Sequence, residues 1–76
     1  MEINLTDSEL QNVKLMYLSE KEAAEKLFVA KSTIRRHRYN IFRKLLTHTC
    51  GETILKALIM GLVKIEDYRE IYYGNE

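Results

Sequence analysis

Three short stretches of this chain carry the signature of a helix start, a hydroxyl residue with a glutamate three positions later. The pairs are Thr6 with Glu9, Ser19 with Glu22, and Thr49 with Glu52. In such a capping box each side chain accepts a hydrogen bond from a backbone N–H group that the first helical turn leaves unpaired. Apolar residues at helical spacing follow every pair. The chain is therefore restricted to a set of short helices.

The apolar periodicity indicates where these helices run. The three capped helices are predicted to end near Tyr17, near Leu27 and at Gly61, because glycine is favoured just beyond a helix C-terminus. A further helix is predicted between the second and the third of them, where a core-facing stripe recurs at helical spacing: Ile34, Ile41 and Leu45. The absence of proline favours the same interpretation. We expect an all-α fold of four helices.

Length and composition exclude several functions. The 76 residues are predicted to form one small domain, residues 1–76, with a single modest core. The N-terminus is unlike a signal peptide and no apolar run approaches about 18 residues, so we expect a cytoplasmic protein without a membrane segment. Cys50 is the single cysteine and is interpreted as a small packing residue. No group of residues suggests catalysis, so an enzyme, a cofactor, a metal or a small-molecule ligand is not expected.

Positive charge is concentrated on one predicted helix. Six of the 12 lysines and arginines lie in residues 31–44, and residues 26–51 contain no acid. At about 100° per residue, the side of the helix opposite the apolar stripe carries Ser32, Arg35, Arg36, Tyr39 and Arg43. A merely solvated helix usually intersperses glutamates that pair with its bases four residues away. The pattern therefore favours nucleic-acid binding over a solvated basic face.

The connection before this helix is very short. Only Phe28, Val29 and Ala30 separate it from the helix that ends at Leu27, which predicts an angled pair of helices. This is the geometry of a helix-turn-helix, whose second helix lies in the major groove of DNA. Arginine reads guanine with two hydrogen bonds, and lysine or arginine neutralises phosphates, so the outward bases have a use there.

Three segments resemble a known family. They are LTDSE (residues 5–9), SEKEAAEKLFVAKSTIRRHRYNIFRKL (residues 19–45) and ETILKALIMGLV (residues 52–63). These segments are similar to the four-helix DNA-binding domain of the LuxR/FixJ/GerE transcription regulators. The resemblance covers residues 5–63 and leaves residues 64–76 as a C-terminal extension. It implies a sequence-specific regulator that binds double-stranded DNA as a homodimer, in a stand-alone, GerE-like form.

The resemblance also implies roles for individual residues. The positions from which the family reads base edges correspond here to Arg35, Arg36 and Tyr39. Contacts with the DNA backbone are expected from Lys21, Thr33, His37 and Lys44, with Lys31, Ser32 and Arg43 as further phosphate ligands. For His37 a half-buried, hydrogen-bonded role is the alternative to a phosphate contact.

The chain departs from the family pattern at several positions. Ala30 stands where the family has a serine that caps the recognition helix, so that cap is expected to be missing. Leu46 replaces a glycine, so the same helix must end by another device. Arg38 leans toward the apolar stripe, and a pairing with Glu9 or Glu22 is predicted over a DNA contact because an unpaired buried charge is costly.

The last predicted helix has a second apolar line that a monomer does not need. Leu55, Ile59 and Leu62 form this line, and the family's use of the helix for dimerisation favours a second copy as its cover. The alternative cover is the tail, where a short fifth helix is predicted from the spacing of Ile65, Tyr68, Ile71 and Tyr72. The tail is expected to cover the core, and a partner-binding surface is its alternative role.

Two other functions remain open from the sequence. One is a protein-interaction module of the same fold that binds RNA polymerase or another transcription factor without reading DNA. The other is the similar promoter-reading domain of a sigma factor. The basic face favours DNA over the first, and the matches in residues 33–45 and 61–63 favour the LuxR pattern over the second.

Overall fold

The structure, a computed structural model, describes residues 3–69 of the chain. It contains four α-helices, which are α1 (Asp7–Lys14), α2 (Glu20–Leu27), α3 (Lys31–Leu45) and α4 (Cys50–Ile59). A short 3₁₀ helix follows at Ile65–Tyr68. No strand occurs within the described residues, so the predicted all-α, four-helix fold is confirmed.

The capping boxes of α1 and α2 are confirmed. The Thr6 hydroxyl accepts a hydrogen bond from the Glu9 backbone N–H at 3.1 Å, and the Glu9 carboxylate accepts one from the Thr6 N–H at 2.9 Å. Ser19 and Glu22 repeat the arrangement with both distances at 3.1 Å. Each pair satisfies N–H groups that the first turn cannot use.

The predicted box of α4 forms only in part. The Thr49 hydroxyl accepts from the Glu52 N–H at 3.1 Å, as predicted. The Glu52 carboxylate, however, accepts from the backbone N–H of His48 at 2.7 Å, one residue before the box would place it. The start of α4 is therefore capped, but the glutamate also ties down the preceding turn.

The α-helices end by two different devices. Helix α1 ends at Lys14, three residues before the predicted end near Tyr17. Beyond it, the N–H groups of Leu15, Met16 and Leu18 donate to the third preceding carbonyl instead of the fourth. Helices α2 and α3 each end at a C-cap residue with positive φ, Phe28 (58°) and Leu46 (57°). After α4 the positive φ belongs to Gly61 (75°), one residue beyond the C-cap Met60. Glycine adopts this conformation without steric cost, whereas phenylalanine and leucine do not. Gly61 has its predicted role just beyond the end of α4. At the end of α3, Leu46 takes the left-handed conformation that a glycine would otherwise adopt.

Helix α3 lies at the centre of the fold. Its apolar stripe, Ile34, Ile41 and Leu45, is fully buried, as predicted. Ile34 packs with Ala23 and Ala24 of α2, while the other two join a larger cluster formed by Val13, Met16, Ala57, Val63 and Tyr68. Burying a side chain of this size stabilises a fold by roughly 1.5–3 kcal/mol. The stripe therefore holds α3 against α1, α2 and α4 and turns its opposite face to solvent.

The start of the C-terminal extension closes one end of the core. Tyr68 is buried, its hydroxyl donates to the Val13 carbonyl at 3.1 Å, and its ring meets Tyr17 edge-on at 6.1 Å. Burial raises the pKa of the Tyr68 hydroxyl to about 12. The predicted covering role is confirmed for Tyr68, whereas Ile65 is exposed. The other two residues of the predicted fifth helix, Ile71 and Tyr72, lie outside the described residues.

Arg38 is buried, but its predicted partner is wrong. Only 7% of the residue is exposed, and its Nη2 group donates to the backbone carbonyls of Leu15 at 3.3 Å and Leu18 at 2.9 Å. Neither Glu9 nor Glu22 pairs with it within residues 3–69. The carbonyls just beyond the end of α1 carry partial negative charge, so they can serve a guanidinium in place of a carboxylate. The Leu15 carbonyl also accepts a hydrogen bond from the Leu18 N–H at 3.0 Å.

The start of α3 offers a direct test of helix capping. Ala30 has the extended backbone of an N-cap residue, with φ −73° and ψ 151°, and a methyl group that cannot accept a hydrogen bond. We expect Ala30→Ser to raise the free energy of unfolding by about 1 kcal/mol, measured by urea denaturation. Ser19→Ala at the N-cap of α2 is the matched control and should lower it by a similar amount. An unchanged or reduced stability in Ala30→Ser would contradict the assignment of the cap.

None of the helices in residues 3–69 is long and apolar enough to cross a membrane.

Candidate nucleic-acid interface

The outward face of α3 is basic and open to solvent. The residues opposite the buried stripe are all exposed: Ser32, Arg35, Arg36, Tyr39 and Arg43. Lys31 at the start of the helix and Lys44 near its end are exposed beside them. The exposed residues include all three predicted base-reading residues, which lie near the middle of the helix because α3 runs from Lys31 to Leu45. The face lies opposite the buried stripe, so the packing that holds α3 also determines which side chains a partner can reach.

Two other predicted phosphate ligands lie at the edge of this face. Thr33 and His37 are half-buried and line a small surface pocket between α1, α3 and the α2–α3 turn. Asn12 forms part of the same pocket, and its buried Oδ1 atom has no hydrogen-bond partner within residues 3–69. His37 is therefore half-buried, as its structural role predicts, and it also reaches the surface, as a phosphate contact requires.

Tyr39 and Arg43 form a pair on the outward face. The guanidinium carbon of Arg43 lies 5.8 Å from the centre of the Tyr39 ring, four residues earlier on the helix. Such a cation–π contact restrains both side chains. Arg36 has no ion pair within the described residues, so its guanidinium is open to an incoming partner.

Lys44 already has partners inside the protein. Its Nζ group lies 2.7 Å from the Glu9 carboxylate and donates to the Asn4 carbonyl at 3.2 Å. Burial alone would raise the pKa of Glu9, but the Lys44 hydrogen bond and the Thr6 backbone N–H outweigh burial, so this pKa lies below its usual value.

Lys21 is exposed in the first turn of α2. The phosphate contacts of both lysines stay predictions.

Arg35 is held by a carboxylate that the sequence reasoning missed. Its Nε and Nη2 groups donate to the two oxygens of Glu20 at 3.3 and 3.0 Å. The hydrogen bond from Arg35 is the main cause that places the pKa of Glu20 below its usual value. Glu20 is 15 positions away in the chain, and only the crossing of α2 and α3 brings the two together. No short-range spacing signals such a pair.

The predicted dimer seam is only partly exposed. Leu55 and Ile59 of α4 are 61% and 77% exposed, whereas Leu62 is half-buried against the core cluster. Met60 and Ile65 add to the exposed apolar surface near α4. Of the three residues predicted at the dimer interface, Leu55 and Ile59 thus face solvent, whereas Leu62 packs within the monomer.

Other kinds of site have little support in the described part of the chain. No group of three or more histidines, cysteines or acids there could hold a metal ion. Cys50 is half-buried and packs against the larger core cluster.

The comparisons with known proteins agree with this arrangement. No curated protein and no solved structure is significantly similar to the chain. The family GerE, described as bacterial regulatory proteins of the luxR family, matches residues 4–61, which include α1, the α2–α3 pair and α4 in full. The match thus covers most of the chain, including the basic helix α3 and the helices packed against it. The protein therefore belongs to the luxR family of bacterial regulatory proteins.

Proposed function

We propose that this protein is a transcription regulator that binds double-stranded DNA sequence-specifically, as a dimer, with α3 in the major groove. The family membership supports a helix-turn-helix regulator that binds DNA. The observation that carries the finer proposal is the solvent-facing surface of α3, where seven of the helix's residues are exposed and none is acidic. A face of this charge suits the phosphate-lined edges of a groove.

The division between base and backbone contacts follows from the length of α3. Its 15 residues span about 22 Å, which exceeds the width of about 12 Å of the major groove. The middle of the helix therefore lies deepest, where Arg35, Arg36 and Tyr39 meet base edges. Residues nearer its two ends lie against the phosphates: Lys31, Ser32, Thr33, Arg43 and Lys44. His37 and the exposed Lys21 of α2 complete the backbone contacts.

Dimerisation would place two such helices on one DNA molecule. The exposed side chains of Leu55 and Ile59 supply an apolar surface on α4 that a second copy can cover across a two-fold axis. Two half-sites separated by one turn of DNA, about 34–36 Å, would then form a partly palindromic operator.

The assignment of base-reading residues is tested by comparing specific with non-specific binding. Selection from random duplex DNA first identifies the preferred site. Each of Arg35→Ala, Arg36→Ala and Tyr39→Ala should weaken binding to that site by about 1–3 kcal/mol and binding to random DNA much less. Fluorescence anisotropy with both DNAs measures the difference.

Lys21→Ala is the control, because loss of a phosphate contact should weaken binding to both DNAs alike. Equal losses on both DNAs for all four variants would contradict the base-reading assignment. A wild-type protein from which no preferred sequence can be selected would contradict specific recognition itself.

A further inference from the structure

Glu20 brings a negative charge to the face of α3 that is otherwise basic. Helix α3 makes two ion pairs within residues 3–69, Arg35 with Glu20 and Lys44 with Glu9. Of these, only the pair with Glu20 involves a predicted base-reading residue. The Arg35 side chain is 65% exposed and that of Glu20 is 31% exposed, so the pair lies at the surface that DNA would approach.

The geometry of the pair leaves part of the guanidinium free. Arg35 uses its Nε–H and one Nη2–H on the two oxygens of Glu20. A guanidinium has five N–H donors, so both Nη1 donors and the second Nη2 donor remain available. Two of these form the edge that guanine O6 and N7 accept in a bidentate contact. Glu20 can therefore hold one edge of Arg35 while the other edge reads a base.

A phosphate differs from a base edge in charge, and this matters for Arg35. Guanine O6 and N7 are neutral acceptors, whereas each phosphate carries a full negative charge. A phosphate that approached Arg35 would also approach the Glu20 carboxylate, and like charges repel over such distances. An arginine without a carboxylate neighbour, such as Arg36, carries no such penalty. The ion pair thus makes Arg35 better suited to base edges than to phosphates.

From this geometry, and resting on the proposed DNA-binding function, we propose that Glu20 is a specificity-determining residue. It orients Arg35 toward base edges and opposes the use of Arg35 as a phosphate ligand, which lowers affinity for random DNA. Glu20 acts through Arg35 and is a positioning residue. Its expected effect is on the ratio of specific to non-specific affinity more than on specific affinity.

The decisive variant is Glu20→Gln, which removes the charge and retains the size of the side chain. Binding to random duplex DNA should become about threefold to tenfold tighter at moderate salt, because Arg35 gains access to a phosphate. The slope of log affinity against log salt on random DNA should steepen by about 0.9, the value for one additional phosphate contact. Affinity for the selected site should change much less, so the specificity ratio falls.

Two controls separate this role from a general effect of charge. Glu25→Gln makes the same change of charge at an exposed position of the same helix and should leave the salt slope unchanged. In an Arg35→Ala background, Glu20→Gln should no longer alter the specificity ratio. A structural ion pair with no role in recognition would move neither the ratio nor the slope.

The outcomes distinguish this inference from the proposed function. A wild-type protein that prefers a selected site, with a Glu20→Gln variant that behaves like Glu25→Gln, would overturn the role of Glu20 and leave DNA recognition intact. Persistence of the Glu20→Gln effect without Arg35 would overturn it as well. A wild-type protein that binds neither DNA would overturn the proposed function, and the inference with it.

Discussion

Replacing Arg38 by alanine is expected to destabilise the fold by about 3 kcal/mol, although the side chain has no carboxylate partner within residues 3–69. The residue is 93% buried, and its guanidinium joins α3 to the carbonyls of Leu15 and Leu18. Alanine would remove this donor from both carbonyls, although the Leu15 carbonyl would keep its hydrogen bond from the Leu18 N–H. The substitution would also remove most of a buried side chain from the interior. Each buried polar group that loses its partner costs about 1–3 kcal/mol.

A loss of this size would be a large part of the total stability. A domain of 76 residues is expected to have a free energy of unfolding of roughly 4–11 kcal/mol. Urea denaturation followed by circular dichroism measures the change. Arg36→Ala, two positions earlier on the exposed face, is the matched control and should alter stability by less than about 0.5 kcal/mol. Equal stabilities of the two variants would contradict the structural role of Arg38.

The combined substitution of Leu55→Glu with Ile59→Glu is expected to abolish dimerisation and to weaken binding to a two-half-site operator by about 100-fold or more. Both side chains are largely exposed in the monomer, so glutamate costs the fold little at these positions. Across a two-fold seam, however, each new carboxylate would meet its symmetry mate. Sedimentation measures the oligomeric state, circular dichroism the helix content, and anisotropy the binding to DNA.

Two controls make this result interpretable. A DNA fragment with one half-site should bind the double variant and the wild type similarly, because α3 is unchanged. Leu62→Glu should instead reduce helix content, because Leu62 packs against the core cluster. A wild-type protein that sediments as a monomer at concentrations of tens of micromolar, or a double variant that unfolds, would show that α4 does not form the seam.

Much of the fold could be predicted from local patterns. The capping pairs placed the starts of α1, α2 and α4 correctly, because both members of a cap lie within one helical turn. The end of α1 was less predictable, since Tyr17 continues the apolar spacing beyond the last helical hydrogen bond. The left-handed conformations of Phe28 and Leu46 also have no local signal, because both residue types rarely adopt positive φ.

The exposed face of the candidate interface was predicted in the same way, but the partners of its side chains were not. The spacing of the buried stripe indicates that Arg35, Arg36 and Tyr39 share the opposite face. It carries no information on which acid lies beside Arg35, because Glu20 belongs to another helix. The predicted partner of Arg38 is wrong for a related reason, because its acceptors are backbone carbonyls beyond the end of α1, which have no side-chain signal in the sequence.

The sequence by itself determined where the helices begin and which side of α3 is buried, since hydrogen bonding and helical periodicity act over a few residues. Tertiary structure alone decided the partners of the long side chains, as shown by Arg35 with Glu20, Lys44 with Glu9, and Arg38 with the Leu18 carbonyl, which are 15, 35 and 20 positions apart. Arginine and lysine have many rotamers and can reach several acceptors. The crossing of the helices selects one acceptor among them, and that crossing depends on the packing of the whole core.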